Sequence, residues 1–231
     1  MSRPAPVEAA RPWAEEWMSI GVTGTNGKTS TVKLIGATLR AAQRPAFTVD
    51  TLEYRIDDEV IPVQRTWKGF IGAGREAARR GCRHAVIEVT SHALARGYAR
   101  RWRYDLGVFT NLAHDHIAAH GSVEHYLAAK AQLFVNLAPG GTAILNAADK
   151  AAVMISRVMP ADVSRLWYAA AHRGPRLCKA DLEAMSIETC LDGTRVTLAP
   201  SPAAEAVGGA LELQLVGDVF GENALAAALA A

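Results

Sequence analysis

A glycine-rich stretch near the start of the chain, TGTNGKTS, carries residue types that bind phosphate. It follows an apolar run and opens an apolar helical pattern, and backbone N–H groups at a helix N-terminus attract anions. Lys28 can reach the terminal phosphates of a nucleotide, and the Thr29 hydroxyl can hold Mg²⁺. The residues expected at the nucleotide are Gly24, Thr25, Asn26, Gly27, Lys28, Thr29 and Ser30. The alternative is a tight turn between a strand and a helix, with a lysine that faces solvent.

Glu88 lies in a second informative segment, AVIEVTSH, and the residues next to it are apolar. An apolar strand of this kind is typically covered on both faces, and a glutamate inside it is costly unless it is paired or metal-bound. It also lies near the strand's carboxyl end, where parallel sheets place their ligands. These features predict a Mg²⁺ ligand. The alternative is a glutamate at the strand end that simply reaches water.

A histidine-rich segment, FTNLAHDHIAAHG, follows another apolar strand. It contains Asn111, His114, Asp115, His116 and His120. The three histidines have plausible zinc-ligand chemistry. No further Cys/His pair with ligand spacing supports a closed zinc site.

Lys130 stands on the apolar side of a helical pattern that Ser122 can cap. It shares one stripe with Val123, Leu127 and Phe134. A lysine on such a stripe must lose its charge, find a partner or extend its amine to water. Carbamylation by CO₂ would turn the side chain into a carboxylate that could bind magnesium.

The elements that must position these residues alternate between strand and helix, which predicts an α/β fold with a mostly parallel sheet flanked by helices. Strands are expected at MSIGVTG, AFTV, HAVIEVTS, DLGVFTNL and GTAILNAAD. Helices are expected at residues 29–43, 70–81, 92–101, 122–137 and 150–159. A hairpin is expected around Asp57 and Asp58. From about residue 177 the alternation of apolar and polar residues predicts antiparallel hairpins.

The bulk composition excludes several classes of function. The 231 residues carry a net charge of +2, which gives no reason to expect nucleic acid or an anionic membrane as a partner. The three cysteines have no metal-ligand spacing and suit a reducing compartment. There is no apolar run of the roughly 18 residues that span a bilayer, and the N-terminus lacks a signal peptide's apolar centre. We therefore expect a cytoplasmic protein.

Several of these segments together resemble the central, ATP-binding domain of the Mur ligase family, which includes folylpolyglutamate and cyanophycin synthetases. TGTNGKT is that family's form of the phosphate loop, and Val22 stands where the family commonly has an aliphatic residue in place of the generic first glycine. EVTSHAL, TNLAHDHIAAHG and YLAAKAQLF follow in the family's order and spacing, and GDVFGENALAAALAA matches again. Within the family, the chain most resembles the UDP-N-acetylmuramoyl-tripeptide synthetases.

The resemblance implies a P-loop-containing fold that binds ATP and two Mg²⁺ ions. Lys28 and Thr29 would handle the ATP phosphates and the first Mg²⁺. Glu88 and His116 would hold the second. Lys130 would be carbamylated near the transferred phosphoryl group, so that Lys28, Lys130 and His116 are the expected catalytic residues.

The implied reaction is the ATP-dependent joining of a carboxylate to an amine, through an acyl phosphate. Asn111 would lie beside the nucleotide and Asn223 near the adenine. The implied substrates are an acidic molecule, such as a UDP-muramoyl peptide or a relative of one, and an amino acid. The alternatives are a non-catalytic ATP-binding partner, a degenerate relative without ligase activity, and a P-loop nucleotidase or kinase that acts alone.

The domain organisation expected from the sequence is a lead-in or linker over residues 1–17 and a Mur-ligase-like central domain over residues 18–231. The family's flanking domains, for the UDP end and for the amino acid, have no counterpart here, so a partner protein could supply them. The helical pattern at the C-terminus stops without a cap, as expected either of a fragment or of an unusual terminus. Substrate-side positions depart from the family pattern: RTWK at residues 65–68 replaces a Thr-Thr-Pro segment, and Tyr98 replaces an arginine.

Overall fold

The computed structural model describes residues 16–113, 122–170 and 174–231. One sheet runs through this part of the chain. Its eleven strands are β1 (Met18–Thr23), β2 (Ala46–Val49), β3 (Tyr54–Ile56), β4 (Glu59–Ile61), β5 (His84–Glu88), β6 (Leu106–Phe109), β7 (Thr142–Asn146), β8 (Ser164–Ala170), β9 (Leu182–Cys190), β10 (Gly193–Leu198) and β11 (Ala210–Leu213). The helices of the described residues are α1 (Lys28–Ala41), α2 (Trp67–Arg79), α3 (Ser91–Ala95), α4 (Tyr98–Arg101), α5 (Val123–Val135), α6 (Lys150–Val158), α7 (Pro202–Ala206) and α8 (Asp218–Ala230).

The strand order places β1 in the middle of the parallel part of the sheet. The order across the sheet is β11-β10-β9-β8-β7-β6-β1-β5-β2-β3-β4. Seven adjacent strands, β9-β8-β7-β6-β1-β5-β2, pair in parallel. The strands at both ends of the sheet pair antiparallel. Val22 pairs with Glu88 on one side and with Val108 on the other. The carboxyl ends of β5, β1 and β6 therefore meet at one edge, where ligands of open parallel sheets bind.

The sheet is buried on both faces, which explains why its central strands are almost continuously apolar. On one face α1 and α8 bury residues that include Val32, Ile35, Leu225 and Ala226. On the other face α2, α5 and α6 bury a second set, which includes Ala77, Leu133, Phe134 and Ile155. The α/β class and the antiparallel strands toward the C-terminus, both expected from the sequence, are confirmed.

Two secondary-structure expectations were wrong in detail. The helix expected over residues 92–101 is two short helices, α3 and α4, because Gly97 takes a left-handed conformation with φ of 76° between them. Strand β8 was not expected at all, although Tyr168 on this strand donates hydrogen bonds to the carbonyls of Phe109 and Thr110. None of the helices in the described ranges has both the length and the apolar character needed to cross a lipid bilayer.

Candidate active site

The phosphate loop, residues 24–29, joins the end of β1 to the first turn of α1. Gly27 caps α1 in a left-handed conformation, with φ of 84°. A Cβ at Gly27 would collide with the side-chain oxygen of Asn223, and one at Gly24 would collide with the Thr110 hydroxyl. The glycines therefore allow the loop to lie tightly between β6 and α8 while its backbone N–H groups stay at the helix N-terminus.

The residues after β6 hold the loop from behind. The Thr110 hydroxyl donates to the Asn26 carbonyl at 2.6 Å, and the Asn111 amide donates to the same oxygen at 3.2 Å. In return, the Asn26 N–H donates to the Asn111 side-chain oxygen at 3.0 Å, and the Thr25 N–H donates to the Asn111 carbonyl at 2.8 Å. Asn111, expected beside the nucleotide, therefore fixes the shape of the loop with its own amide.

Glu88 at the end of β5 faces the other side of the loop. Its side chain is only 3% exposed. The Thr29 hydroxyl donates to Oε2 at 2.7 Å, and the Lys28 ammonium lies 4.0 Å from Oε1. The Thr51 N–H makes a longer contact with Oε2, at 3.4 Å. Glu88 is therefore buried and paired, unlike the alternative in which a glutamate at the strand end reaches water.

The Lys28 ammonium is held by two contacts. Its ammonium donates to the Thr25 carbonyl at 2.8 Å, within the loop, and faces Glu88. Burial lowers the pKa of Lys28, and the negative charge of Glu88 partly opposes that shift. The amine is thus positioned over the loop, where it can contact a phosphate.

Lys130 on α5 is buried beneath the loop, with 1% of its surface exposed. Its Nζ donates to the Gly24 carbonyl at 2.6 Å and lies 4.3 Å from the centre of the Tyr126 ring. The pKa of Lys130 is lowered to about 7, mainly by burial and also by the positive charge of Lys28. The negative charge of Glu88 opposes this shift. The alternative in which this lysine extends to water is wrong, because the side chain points to the phosphate loop.

A large cleft of about 1020 Å³ opens beside the loop, between the ends of β6 and β7 and the start of α8. The expected nucleotide residues that line it are Asn26, Gly27, Ser30, Asn111 and Asn223. Its volume is at the upper end of the usual range for ligand pockets. The cleft can take the bulk of a nucleotide, with the phosphates directed at the loop.

Residues that the sequence analysis did not select complete the wall of this cleft. The Asn146 amide donates to Glu222 at 2.7 Å and to the Thr110 carbonyl at 3.0 Å. Asp149 accepts a hydrogen bond from the Leu112 N–H at 2.7 Å. Asn146 and Asp149 lie in the predicted strand segment GTAILNAAD, so the rule that ligands bind at the carboxyl ends of parallel strands could have identified them.

The oxygen atoms of Thr29 and Glu88 fit Mg²⁺, which prefers carboxylates, hydroxyls, water and substrate phosphates as ligands. In residues 16–113, 122–170 and 174–231, no group of three or more His, Cys, Asp or Glu side chains could hold a metal. Magnesium sites usually need only one or two carboxylates, because phosphates and water supply the rest. His116, expected at the second Mg²⁺, lies outside the described residues, together with His114, Asp115 and His120.

Comparison with known families gives one extended match. The model of the Mur ligase middle domain matches residues 22–231. A UDP-N-acetylmuramoyl-L-alanyl-D-glutamate--2,6-diaminopimelate ligase of Bacillus velezensis is 34% identical over 220 residues, which are 90% of this chain and 42% of that protein. The chain therefore spans about two fifths of the length of this curated relative.

Solved structures agree with the sequence match. The structure of a UDP-N-acetylmuramoyl-L-alanyl-D-glutamate--2,6-diaminopimelate ligase superposes with a TM-score of 0.77 and 26% identity, over 94% of this chain and 43% of that chain. A structure titled "FPGS-AMPPCP complex" superposes with a TM-score of 0.67 and 20% identity, over 96% of this chain and 60% of that chain. The second likeness concerns the fold alone.

Proposed function

Because the chain belongs to the Mur ligase middle-domain family, we propose that it binds ATP with Mg²⁺ and supplies the ATP site for joining a carboxylate to an amine. The observation that carries this proposal is the convergence of two distant segments on the phosphate loop. Glu88 pairs with Thr29 from one side, and Lys130 donates to Gly24 from below. The fold neighbour described as an AMPPCP complex supports an adenine nucleotide as the ligand.

The reaction has two steps. An oxygen of the carboxylate attacks the γ-phosphorus of ATP, the bond from that phosphorus to the β–γ bridging oxygen breaks, and ADP leaves. The amine nitrogen then attacks the acyl carbon, the bond from that carbon to the phosphate oxygen breaks, and phosphate leaves while the nitrogen loses a proton. Such transfers depend mostly on positioning and on neutralising negative charge.

The residues of this chain supply that positioning. The loop N–H groups and the Lys28 ammonium bind the β- and γ-phosphates, while Asn111 and Asn223 lie along the cleft that takes the nucleoside. Mg²⁺, when bound, supplies further positive charge at the phosphates. Thr29 would hold the first ion, and Glu88, His116 and a modified Lys130 would hold the second.

Lys130 has the chemistry that carbamylation requires. Because burial lowers its pKa to about 7, a large share of the amine is neutral near neutral pH, and only the neutral amine attacks CO₂. The product is a carboxylate on the side chain beneath the phosphate loop. We propose that this carboxylate takes part in binding the second magnesium ion.

The remaining parts of the proposal concern the whole protein. Residues 18–231 form the central ATP-binding domain, after a lead-in segment over residues 1–17. The acid substrate is a UDP-muramoyl peptide or another acidic molecule, and the amine is an amino acid. Other domains or a partner protein deliver these substrates, and the reaction takes place in the cytoplasm.

The test is the binding of Mg²⁺ and ATP to the wild-type chain and to Lys28→Ala. We expect the variant to lose at least about a hundredfold in affinity, because a partly buried charge that binds phosphate is removed. Isothermal titration calorimetry gives the affinities.

Lys33→Ala is the matched control, because Lys33 lies on the same helix, is half exposed and pairs with Glu53. It should bind ATP within about twofold of wild type. Equal affinity of Lys28→Ala and wild type would overturn the assigned role. Tight ATP binding with no carboxylate-dependent phosphate release would favour a non-catalytic ATP-binding partner.

A further inference from the structure

A second pocket lies beside Glu88, the carboxylate that pairs with the phosphate loop. We name it the aromatic pocket, because six of its lining residues are Tyr54, Trp67, Phe70, Tyr98, Trp102 and Tyr104. Its volume is about 170 Å³. Glu88 lines this pocket and also accepts the hydrogen bond from Thr29. A molecule in the pocket therefore lies beside the carboxylate that pairs with the phosphate loop.

We propose that the aromatic pocket binds one aromatic ring of the carboxylate substrate, and that the substrate's carboxylate points out of the pocket toward the phosphate loop. This inference rests on the proposed function, since it assigns the class of acid that the ATP site activates. The acid is then a compact arylalkanoate, or a larger molecule that presents such a group.

The size and lining of the pocket support a ring. An apolar protein cavity of about 150 Å³ is large enough to bind benzene. Aromatic walls favour an aromatic occupant, because rings attract one another in edge-to-face and offset arrangements. Val49, Ile87, Val89 and Ala93 complete the apolar lining. A strongly polar group in this space would lose its water without enough partners.

The rings that form the walls pack on one another. The rings of Trp67 and Tyr98 meet edge to face at 5.3 Å, and those of Phe70 and Trp102 do so at 4.9 Å. The Arg101 guanidinium lies 5.9 Å from the Trp67 ring and 6.0 Å from the Tyr98 ring. A fixed pocket needs little ordering when a ligand binds, which favours affinity for a ring of matching size.

Arg65 explains how an anion can approach a pocket that contains Glu88. Among the described residues, these two are the charged ones that line the pocket. Arg65 is exposed at the rim, donates to the Asp50 carbonyl at 3.2 Å, and lies 5.7 Å from the Tyr54 ring. Its positive charge offsets that of Glu88, so a carboxylate on the bound molecule is not repelled.

The test uses phenylacetate and acetate as probes, with the full chain in Mg²⁺ and ADP, and with ligand-observed NMR to measure affinity. We expect phenylacetate to bind at least tenfold more tightly than acetate, because each buried carbon of a ring adds affinity. Equal affinities would overturn the inference. ADP affinity is measured in the same samples, so that the failure of the nucleotide site is recognised separately.

Ala93→Leu fills the pocket and should weaken phenylacetate binding at least tenfold. Ala95→Leu is the matched control, since it adds the same volume at an exposed position of the same short helix, and it should change binding less than twofold. If Ala93→Leu does not fold, Trp67→Ala replaces it and should abolish the preference for phenylacetate over acetate. Unchanged binding in the folded variant would overturn the inference.

Two results separate this inference from the proposed function. Normal ADP binding without a preference for phenylacetate would overturn the role of the aromatic pocket and would still support the proposed ATP site. Selective phenylacetate binding without ADP binding would support the pocket and overturn the proposed function. Arg65→Gln adds a third measurement, because it should weaken phenylacetate at least threefold and leave the neutral analogue phenylacetamide unchanged.

Discussion

The phosphate loop and the aromatic pocket meet at Glu88, and they differ in the kind of atom that each presents. The loop presents backbone N–H groups, hydroxyls and the ammonium of Lys28, held by short hydrogen bonds to Asn26 and Glu88. The pocket presents aromatic rings, and several of them belong to the hydrophobic core, as Trp102 does.

Because of this difference, substitutions can change one of the two sites without changing the other. The phosphate loop depends on directional bonds among a few small residues, so most substitutions there break its geometry. The aromatic pocket depends on the shape of packed rings, so a substitution can alter which molecule fits and leave the phosphate loop intact. In the function proposed above, the choice of acid could therefore change while the ATP site, which shares Glu88 with the pocket, stays the same.

The largest effect that separates the two sites is expected from Trp102→Ala. The ring is 1% exposed, packs on Phe70, and donates from Nε1 to the Ser19 hydroxyl at 2.6 Å. Its removal leaves a cavity and an unpaired hydroxyl, so the free energy of unfolding should fall by about 3–5 kcal/mol. Urea denaturation followed by circular dichroism measures it. A loss below about 1 kcal/mol would show that the pocket wall is not part of the core.

An intermediate effect is expected from Gly27→Ala. The left-handed conformation and the collision with Asn223 should together lower the free energy of unfolding by about 2–3 kcal/mol, and nucleotide affinity should fall at least tenfold.

Gly81→Ala is the matched control, because Gly81 has φ of 87° and open space where a Cβ would stand. Its cost should be about 1 kcal/mol, from backbone strain alone, without a change in nucleotide affinity. If both variants lose the same stability and both bind ATP normally, the tight fit of the phosphate loop against α8 does not contribute to nucleotide binding.

The smallest effect concerns pH and Lys130. The folded pKa of about 7 lies below the ordinary value of 10.5, so between these values the unfolded chain holds a proton that the folded chain has released. The free energy of unfolding of wild type relative to Lys130→Met should therefore rise with pH, by roughly 1–2 kcal/mol between pH 7 and 8.5. Urea titrations of both proteins at the two pH values measure this difference. A flat or falling difference would contradict the burial of the amine beneath the loop.

Local sequence patterns predicted the parallel part of the fold well, because buried parallel strands are continuous apolar runs between helical patterns. They failed at β8, whose residues Arg165 and Trp167 interrupt the apolar run with a charged and a bulky side chain. They also failed at Gly97, since a single left-handed residue ends a helix without altering its apolar periodicity.

The candidate site residues that the sequence singles out are those with unusual chemistry in an apolar setting, as Glu88 and Lys130 are. The supporting residues were harder to find. Thr110 and Tyr126 are ordinary in type, and their contacts with the phosphate loop join positions about 80 to 100 residues apart. Such contacts follow from the register of β1 with β6 and from the packing of α5, which a single sequence does not reveal. The aromatic pocket likewise draws rings from three separate segments, at residue 54, residues 67–70 and residues 98–104.

The paired hydrogen bonds between Asn26 and Asn111 bear on how quickly a nucleotide is captured. These bonds fix the shape of the turn from within the chain, so we expect the proposed nucleotide to bind without a slow rearrangement of the turn. Association should then be limited by diffusion and orientation, and the affinities of different nucleotides should differ mainly through their dissociation rates.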